Sequence, residues 1–127
     1  MTAPMLPLVG QRVLLVEDDY LIAMDLAHEL QSRGAQVIGP VASVNEALQL
    51  IGSTDRIDSA VLDTNLKGEM VFPIVDVLME QDVPFLFLTG YDQVSLPAHY
   101  VDVAHYTKPV SPAEVMDTLA QIALKAD

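Results

Sequence analysis

Short apolar runs alternate with helical patterns five times along the chain, and this alternation constrains the fold more than any other feature. It is the signature of an α/β fold built on a parallel sheet. Four of the runs end in polar residues. Val13-Leu14-Leu15-Val16 leads into Glu17-Asp18-Asp19, and Ala60-Val61-Leu62 leads into Asp63. Phe85-Leu86-Phe87-Leu88 leads into Thr89-Gly90, and Val103-Ala104-His105-Tyr106 leads into Thr107-Lys108-Pro109. If the runs are parallel strands, these groups meet at one edge of the sheet. Carboxylates, a hydroxyl and an ammonium then share one crevice. That set suits a divalent cation and a phosphoryl group.

The local signals place five strands near 12–16, 36–39, 59–62, 84–88 and 104–107. The first helix is expected near 19–33, because Ile22, Leu26 and Leu30 recur every four residues with Ala23 and Ala27 beside them. Gly34 suits the left-handed cap that ends it. Ser43-Val44-Asn45-Glu46 is a capping box that opens a second helix over 44–51. A third helix is expected over 70–81, with Pro73 tolerable only in its first turn. Residues 91–100 contain Pro97 and little helical pattern, so the fourth helix should be short or irregular. Ser111-Pro112-Ala113-Glu114 is a second capping box with Pro at the first helical position, and the fifth helix should run to about 124.

A chain of 127 residues suggests one domain, and an apolar fraction of 51% is enough for a core. Residues 1–10 read as a flexible lead-in and 11–127 as the domain. The chain has no cysteine, which excludes disulfides, thiolate nucleophiles and cysteine-bound zinc, and fits the cytoplasm. A net charge of −12, with six Lys and Arg in all, argues against nucleic acid and anionic membrane surfaces as partners. The apolar stretches are far shorter than a membrane span, and the start lacks the basic residues of a signal peptide.

In open α/β sheets, ligands bind beyond the carboxyl ends of the strands. The residues gathered there carry a resemblance. Leu15-Val16-Glu17-Asp18-Asp19, Val61-Leu62-Asp63, Leu88-Thr89-Gly90 and Thr107-Lys108-Pro109 stand in the order and spacing of the receiver domains of two-component response regulators. Each motif alone is weak; the four together are specific, and the resemblance covers essentially the whole chain. It implies a flavodoxin-like (βα)5 three-layer sandwich with a five-stranded parallel sheet of order 2-1-3-4-5, in which strands one, three, four and five are neighbours.

The resemblance also assigns roles, and the chemistry of each residue type suits them. A carboxylate can attack phosphorus. Asp63 is implied to accept a phosphoryl group from a sensor histidine kinase or a phosphotransfer protein. Mg²⁺, with Mn²⁺ as a substitute, prefers oxygen ligands and often uses only one or two carboxylates. Asp18 and Asp63 are implied as direct ligands with the Asn65 backbone carbonyl, and Glu17 through water. Lys108 would pair with Asp63 and later with a phosphoryl oxygen, and the resemblance implies a cis Lys108–Pro109 bond that places its ammonium. Thr89 would donate its hydroxyl to the phosphoryl group and trigger the switch. Plainer readings exist for single residues: helix capping explains Asp19 well, and Thr89 is also a β-branched strand residue. Capping does not explain the accompanying Lys and Thr.

Two departures stand out. The family carries Tyr or Phe three residues before the lysine, where this chain has His105, followed by Tyr106. His105 is a weaker switch, a pH-sensitive surface group or, most plainly, an ordinary edge-strand histidine. The stretch Phe87-Leu88-Thr89-Gly90-Tyr91 is similar to a Phe-x-Thr-Gly signature of alphaproteobacterial stand-alone receivers, although Asp92 departs from it. Asp63-Thr64-Asn65-Leu66, followed by Gly68-Glu69, also resembles that subgroup, and Tyr91 is a candidate for the missing aromatic role. His28 and His99 lack partners at metal-site spacing.

The expectation is therefore a signalling module and not an enzyme of substrate turnover: a single-domain receiver that catalyses only its own phosphorylation and dephosphorylation. It would act on a downstream protein partner by contact or onward phosphotransfer, with a homodimer through the strand four to helix five face as an option. The chain ends after the fifth helix, so no effector domain and no direct control of transcription are expected. A phosphorylation-independent adaptor would keep the fold and lose the Mg²⁺ set. An aspartyl-phosphate phosphatase would carry a second aspartate at position 65, where this chain has Asn65. A flavodoxin-like cofactor binder would have a Ser/Thr/Gly-rich loop after the first strand, not Glu-Asp-Asp.

Overall fold

The computed structural model describes residues 8–90 and 103–125. Its elements are β1 (Arg12–Val16), α1 (Tyr20–Ser32), β2 (Gln36–Val41), α2 (Val44–Ser53), β3 (Ser59–Asp63), β4 (Asn65–Leu66), β5 (Glu69–Met70), α3 (Phe72–Glu80), β6 (Phe85–Thr89), β7 (His105–Thr107) and α4 (Pro112–Lys125). The main sheet is parallel, in the order β2-β1-β3-β6-β7. With β4 and β5 set aside as a separate two-stranded ribbon, this is the 2-1-3-4-5 order of a doubly wound sheet.

The sheet is covered on both faces, which is why its central strands are apolar runs without alternation. Successive side chains still point to opposite faces. Leu14 and Val16 of β1, Ala60 and Leu62 of β3, and Phe87 of β6 pack with Ala47 and Ile51 of α2 and with Ile74 and Leu78 of α3. Val13, Leu15, Val61, Leu86 and Leu88 pack with Leu26 and Leu30 of α1 and with Val115 and Leu119 of α4. Each fully buried Leu or Val contributes about 1.5–3 kcal/mol relative to exposure, so the two layers hold the sheet between them. Phe87 also meets Phe72 edge-on, with ring centroids 6.4 Å apart.

The caps follow the local chemistry. Asp19 Oδ1 accepts from the Leu21 and Ile22 amides and starts α1. Ser43 Oγ accepts from the Glu46 amide, and its hydroxyl donates back to Glu46 Oε1. Gly34, at φ +87°, closes α1 in the left-handed region.

Four boundaries differ from expectation by two residues or more, the first being α2, which runs on to Ser53 past the expected 51. β2 does not stop at Gly39 but runs through Pro40 to Val41, whose carbonyl accepts from the Glu17 amide. Proline is tolerated there because β2 is an edge strand. α3 begins at Phe72, not residue 70, because Met70 pairs with Asn65 in the ribbon. Within the expected lead-in, Leu8 is fully buried in the α1–α4 layer and the Gly10 amide donates to the Gly34 carbonyl. The rest of that lead-in and the expected fourth helix over 91–100 lie outside the described residues. Among the described residues, no helix is long and apolar enough to cross a membrane.

Candidate functional site

β1, β3, β6 and β7 end at one edge of the sheet, and the polar residues that follow or close them converge there. A cleft of about 580 Å³ opens at this edge, lined by Asp18, Asp63, Asn65, Thr89 and Lys108, together with Asp19, Thr64, Lys67, Gly68 and Gly90. Carboxylate oxygens of Glu17, Asp18 and Asp63 all lie within 4.8 Å of one another. Glu17 is 2% exposed and Asp63 3%.

Lys108 holds this acidic group together. Its Nζ donates to Asp63 Oδ2 at 2.9 Å and to Glu17 Oε2 at 2.9 Å. The Lys108 amide donates to the Thr89 carbonyl at 2.8 Å, which ties the chain after β7 to β6. The Lys108–Pro109 peptide bond is cis. Backbone amides complete the anchoring: Asn65 N donates to Asp63 Oδ1 at 3.0 Å, and Asp19 N donates to Glu17 Oε2 at 2.9 Å.

One cation cannot neutralise three carboxylates in a buried site, and the titration of the group follows from that. Burial pushes Glu17 from its ordinary 4.5 up to about 8, with the Asp63 charge adding to the rise and the Asp19 amide and Lys108 opposing it. Burial also raises Asp63, against the Asn65 amide and Lys108. Burial works to raise Asp18 too, but hydrogen bonding with Asp63 and Glu17 outweighs it and holds Asp18 below the ordinary carboxylate range. Burial works to lower Lys108, yet its bonds to Glu17 and Asp63 leave it raised.

The donor set fits a hard divalent cation. It consists of carboxylate oxygens of three residues within 4.8 Å of one another, and the ammonium beside them, 2.9 Å from both Glu17 oxygens, carries a single positive charge.

The other expected residues fall in different places. Thr89 is buried at the cleft, but its hydroxyl faces β7, 3.4 Å from the Tyr106 carbonyl and 3.4 Å from Thr107 Oγ1. Asn65 is exposed, and its side-chain Oδ1 accepts from the Gly68 amide at 2.6 Å. An amide in that role is not a general acid, so the position does not serve as a phosphatase's second carboxylate would. His105 is exposed, with Nδ1 3.3 Å from the Val103 carbonyl. Tyr106 points to α4 instead, where its hydroxyl donates to the Glu114 carbonyl and shares a short hydrogen bond with Thr118. Tyr91 lies outside the described residues.

The sequence assigns no role to Lys67, and Thr64 and Gly68 enter it only as part of the stretch that resembles the stand-alone receivers. They reach the cleft because β4 and β5 form a hairpin whose turn is Lys67-Gly68, both at positive φ. The glycine after a polar residue was the available signal.

No family model matches the chain. It is 30% identical over 116 residues to the phyllosphere-induced regulator PhyR of Methylorubrum extorquens, covering 89% of this chain and 43% of that protein. It is 33% identical over 116 residues to the sensory transduction protein LytT of Bacillus subtilis, covering 85% of this chain and 46% of that protein. The chain thus spans about half the length of the curated relatives it matches. Among solved structures, SdrG from Sphingomonas melonis Fr1 superposes with a TM-score of 0.79 at 32% identity, over 90% of this chain and 96% of that one. The receiver domain of the Erythrobacter litoralis PhyR response regulator superposes with a TM-score of 0.77 at 26% identity, over 92% of each chain.

Proposed function

The chain belongs to the receiver domains of bacterial two-component response regulators, and on that footing we propose that it accepts a phosphoryl group on Asp63 and signals through the change in charge. The observation that supports this most directly is the placement of one buried carboxylate, Asp63, within hydrogen-bond reach of the Lys108 ammonium and within 4.8 Å of two further carboxylates, in an open cleft.

The ionised Asp63 carboxylate attacks phosphorus of the donor. A new O–P bond forms as the donor's bond to phosphorus breaks, and the leaving group departs with the electron pair: imidazole from a phosphohistidine, after it gains a proton, or acetate from acetyl phosphate. Transfer of this kind needs positioning and charge neutralisation more than covalent help from the protein. Lys108 supplies one positive charge at the attacking group. Asp18, Asp63 and the Asn65 backbone carbonyl would hold Mg²⁺ or Mn²⁺, with Glu17 acting through a water. The ion, when bound, offsets charge on the phosphoryl oxygens. The donor is a histidine kinase or phosphotransfer protein, and the state passes to a downstream protein in the cytoplasm, with a homodimer through the β6 to α4 face as one form of output. The Thr89 hydroxyl, now held by β7, would turn to the phosphoryl oxygens. The net charge of −12 disfavours polyanionic partners.

The test is intact mass after incubation with acetyl phosphate, with and without Mg²⁺, beside Asp63→Ala. The reading expects one phosphoryl adduct that requires both the ion and Asp63. No adduct under fast sampling, together with no beryllofluoride binding, would leave a receiver-like adaptor.

A further inference from the structure

The charges lining the cleft do not match the charge of what must enter it. Asp18, Asp19 and Asp63 line it, with Glu17 behind them. Two lysines line it as well. Lys108 is already committed, at 2.9 Å, to both Glu17 and Asp63. Lys67 is not: among the described residues its side chain makes no ion pair or hydrogen bond, in a chain of net charge −12.

Its backbone is also constrained. Lys67 sits at φ +53°, a left-handed conformation that disfavours a side chain bearing Cβ, in a two-residue turn with Gly68. The hairpin beneath it is tied into the fold. Leu66 is buried in the α2–α3 layer, the Val71 amide donates to the Thr64 carbonyl, and the Gly68 amide donates to Asn65 Oδ1 at 2.6 Å. The turn begins four residues after Asp63. A cation is thus presented at the rim of the cleft on a packed, hydrogen-bonded support.

We propose that Lys67 is a specificity-determining residue that binds the peripheral oxygens of a small anionic phosphodonor, of the acyl phosphate class, as it approaches Asp63. The inference rests on the phosphoacceptor reading above. Lys67 takes no part in bond making; it offsets the repulsion between a dianion and an acidic cleft, and so acts on donor capture. Interactions of this kind at an exposed rim change encounter more than chemistry, and salt screens them.

The experiment compares Lys67→Met, Lys67→Arg and the wild-type chain by intact mass under Mg²⁺, with acetyl phosphate and with phosphoramidate, which carries less negative charge. Met keeps the length and the left-handed strain of the site. A screened unit charge at this range predicts that Lys67→Met lowers the second-order rate constant with acetyl phosphate about fivefold. The loss should be smaller with phosphoramidate, Lys67→Arg should recover most of it, and added salt should narrow the gap between the wild-type chain and Lys67→Met. Equal rates for wild type and Lys67→Met with acetyl phosphate, or equal losses with both donors, overturn the proposal while the phosphoacceptor reading stands. No adduct on the wild-type chain overturns both.

Discussion

At the scale of single residues, the site is governed by how many charges share one buried space. Glu17 shows this best. Its carboxyl ionises near 4.5 when exposed and near 8 in the folded chain. Below the first value both states are protonated and the group has no effect. Between the two, the unfolded chain releases a proton that the folded chain keeps, so stability falls as pH rises and levels off above about pH 8. Asp63, also raised, acts in the same direction. The metal-free protein should therefore melt at a lower temperature at about pH 8 than at about pH 5. Glu17→Gln should flatten much of that slope in a series of melting curves. A wild-type melting temperature that climbs with pH over this window would show that Glu17 is ionised in the folded chain. Glu17, Asp63 and Lys108 stood out in the sequence because each follows an apolar run. The contest among them for one ammonium did not, because it depends on distances of 2.9 Å between residues 45 and 91 positions apart.

At the scale of elements, two joints outside the cleft shape the molecule. Arg33, one residue past α1, donates to Glu29 Oε2 at 2.9 Å, to Asp117 Oδ1 at 2.6 Å and to the Ala113 carbonyl at 3.1 Å, and so ties α1 to α4. Its pKa is raised, first by the bond to Asp117. Asp117 is largely exposed, so screening reduces the value of that pair. Arg33→Met should cost about 1 kcal/mol in urea unfolding, with a smaller difference at high salt. The second joint is Gly39, at φ +109° beside the irregularity between Leu14 and Val16 where β2 pairs with β1. A Cβ there would lie 2.9 Å from the Leu15 carbonyl oxygen and 3.0 Å from the Val41 nitrogen, both backbone atoms. Gly39→Ala should cost about 2–3 kcal/mol, read as a lower urea midpoint at unchanged slope. Sequence patterns located the Ser43, Ser111 and Gly34 helix boundaries because caps are local. They misplaced the start of α3, because the ribbon pairing of Asn65 with Met70 competes with a helical pattern that already runs through that segment.

At the scale of the whole molecule, a three-layer sandwich brings four strand ends to one edge, and three carboxylates at that edge oppose folding unless a cation joins them. Anything that binds the folded state alone stabilises it by mass action, by about 2.7 kcal/mol at a hundred times its dissociation constant. Mg²⁺ should therefore raise the melting temperature in a saturable way, and Asp18→Asn should weaken that response. A wild-type chain whose melting temperature ignores millimolar Mg²⁺ would count against the cation reading. The sequence by itself determined the α/β class and which residues end the strands, since hydrophobic periodicity and caps act over a few residues. It also carried the family resemblance, through four short motifs in order. Tertiary structure decided the rest: that Leu8 belongs to the core, that Thr89 bonds to β7, that Tyr106 and not His105 faces α4, and that Lys67 reaches the cleft. Those outcomes turn on which face of a strand a side chain occupies and on how a two-residue turn folds back. One step of register or a single positive φ reverses either, and packing against distant elements selects between them.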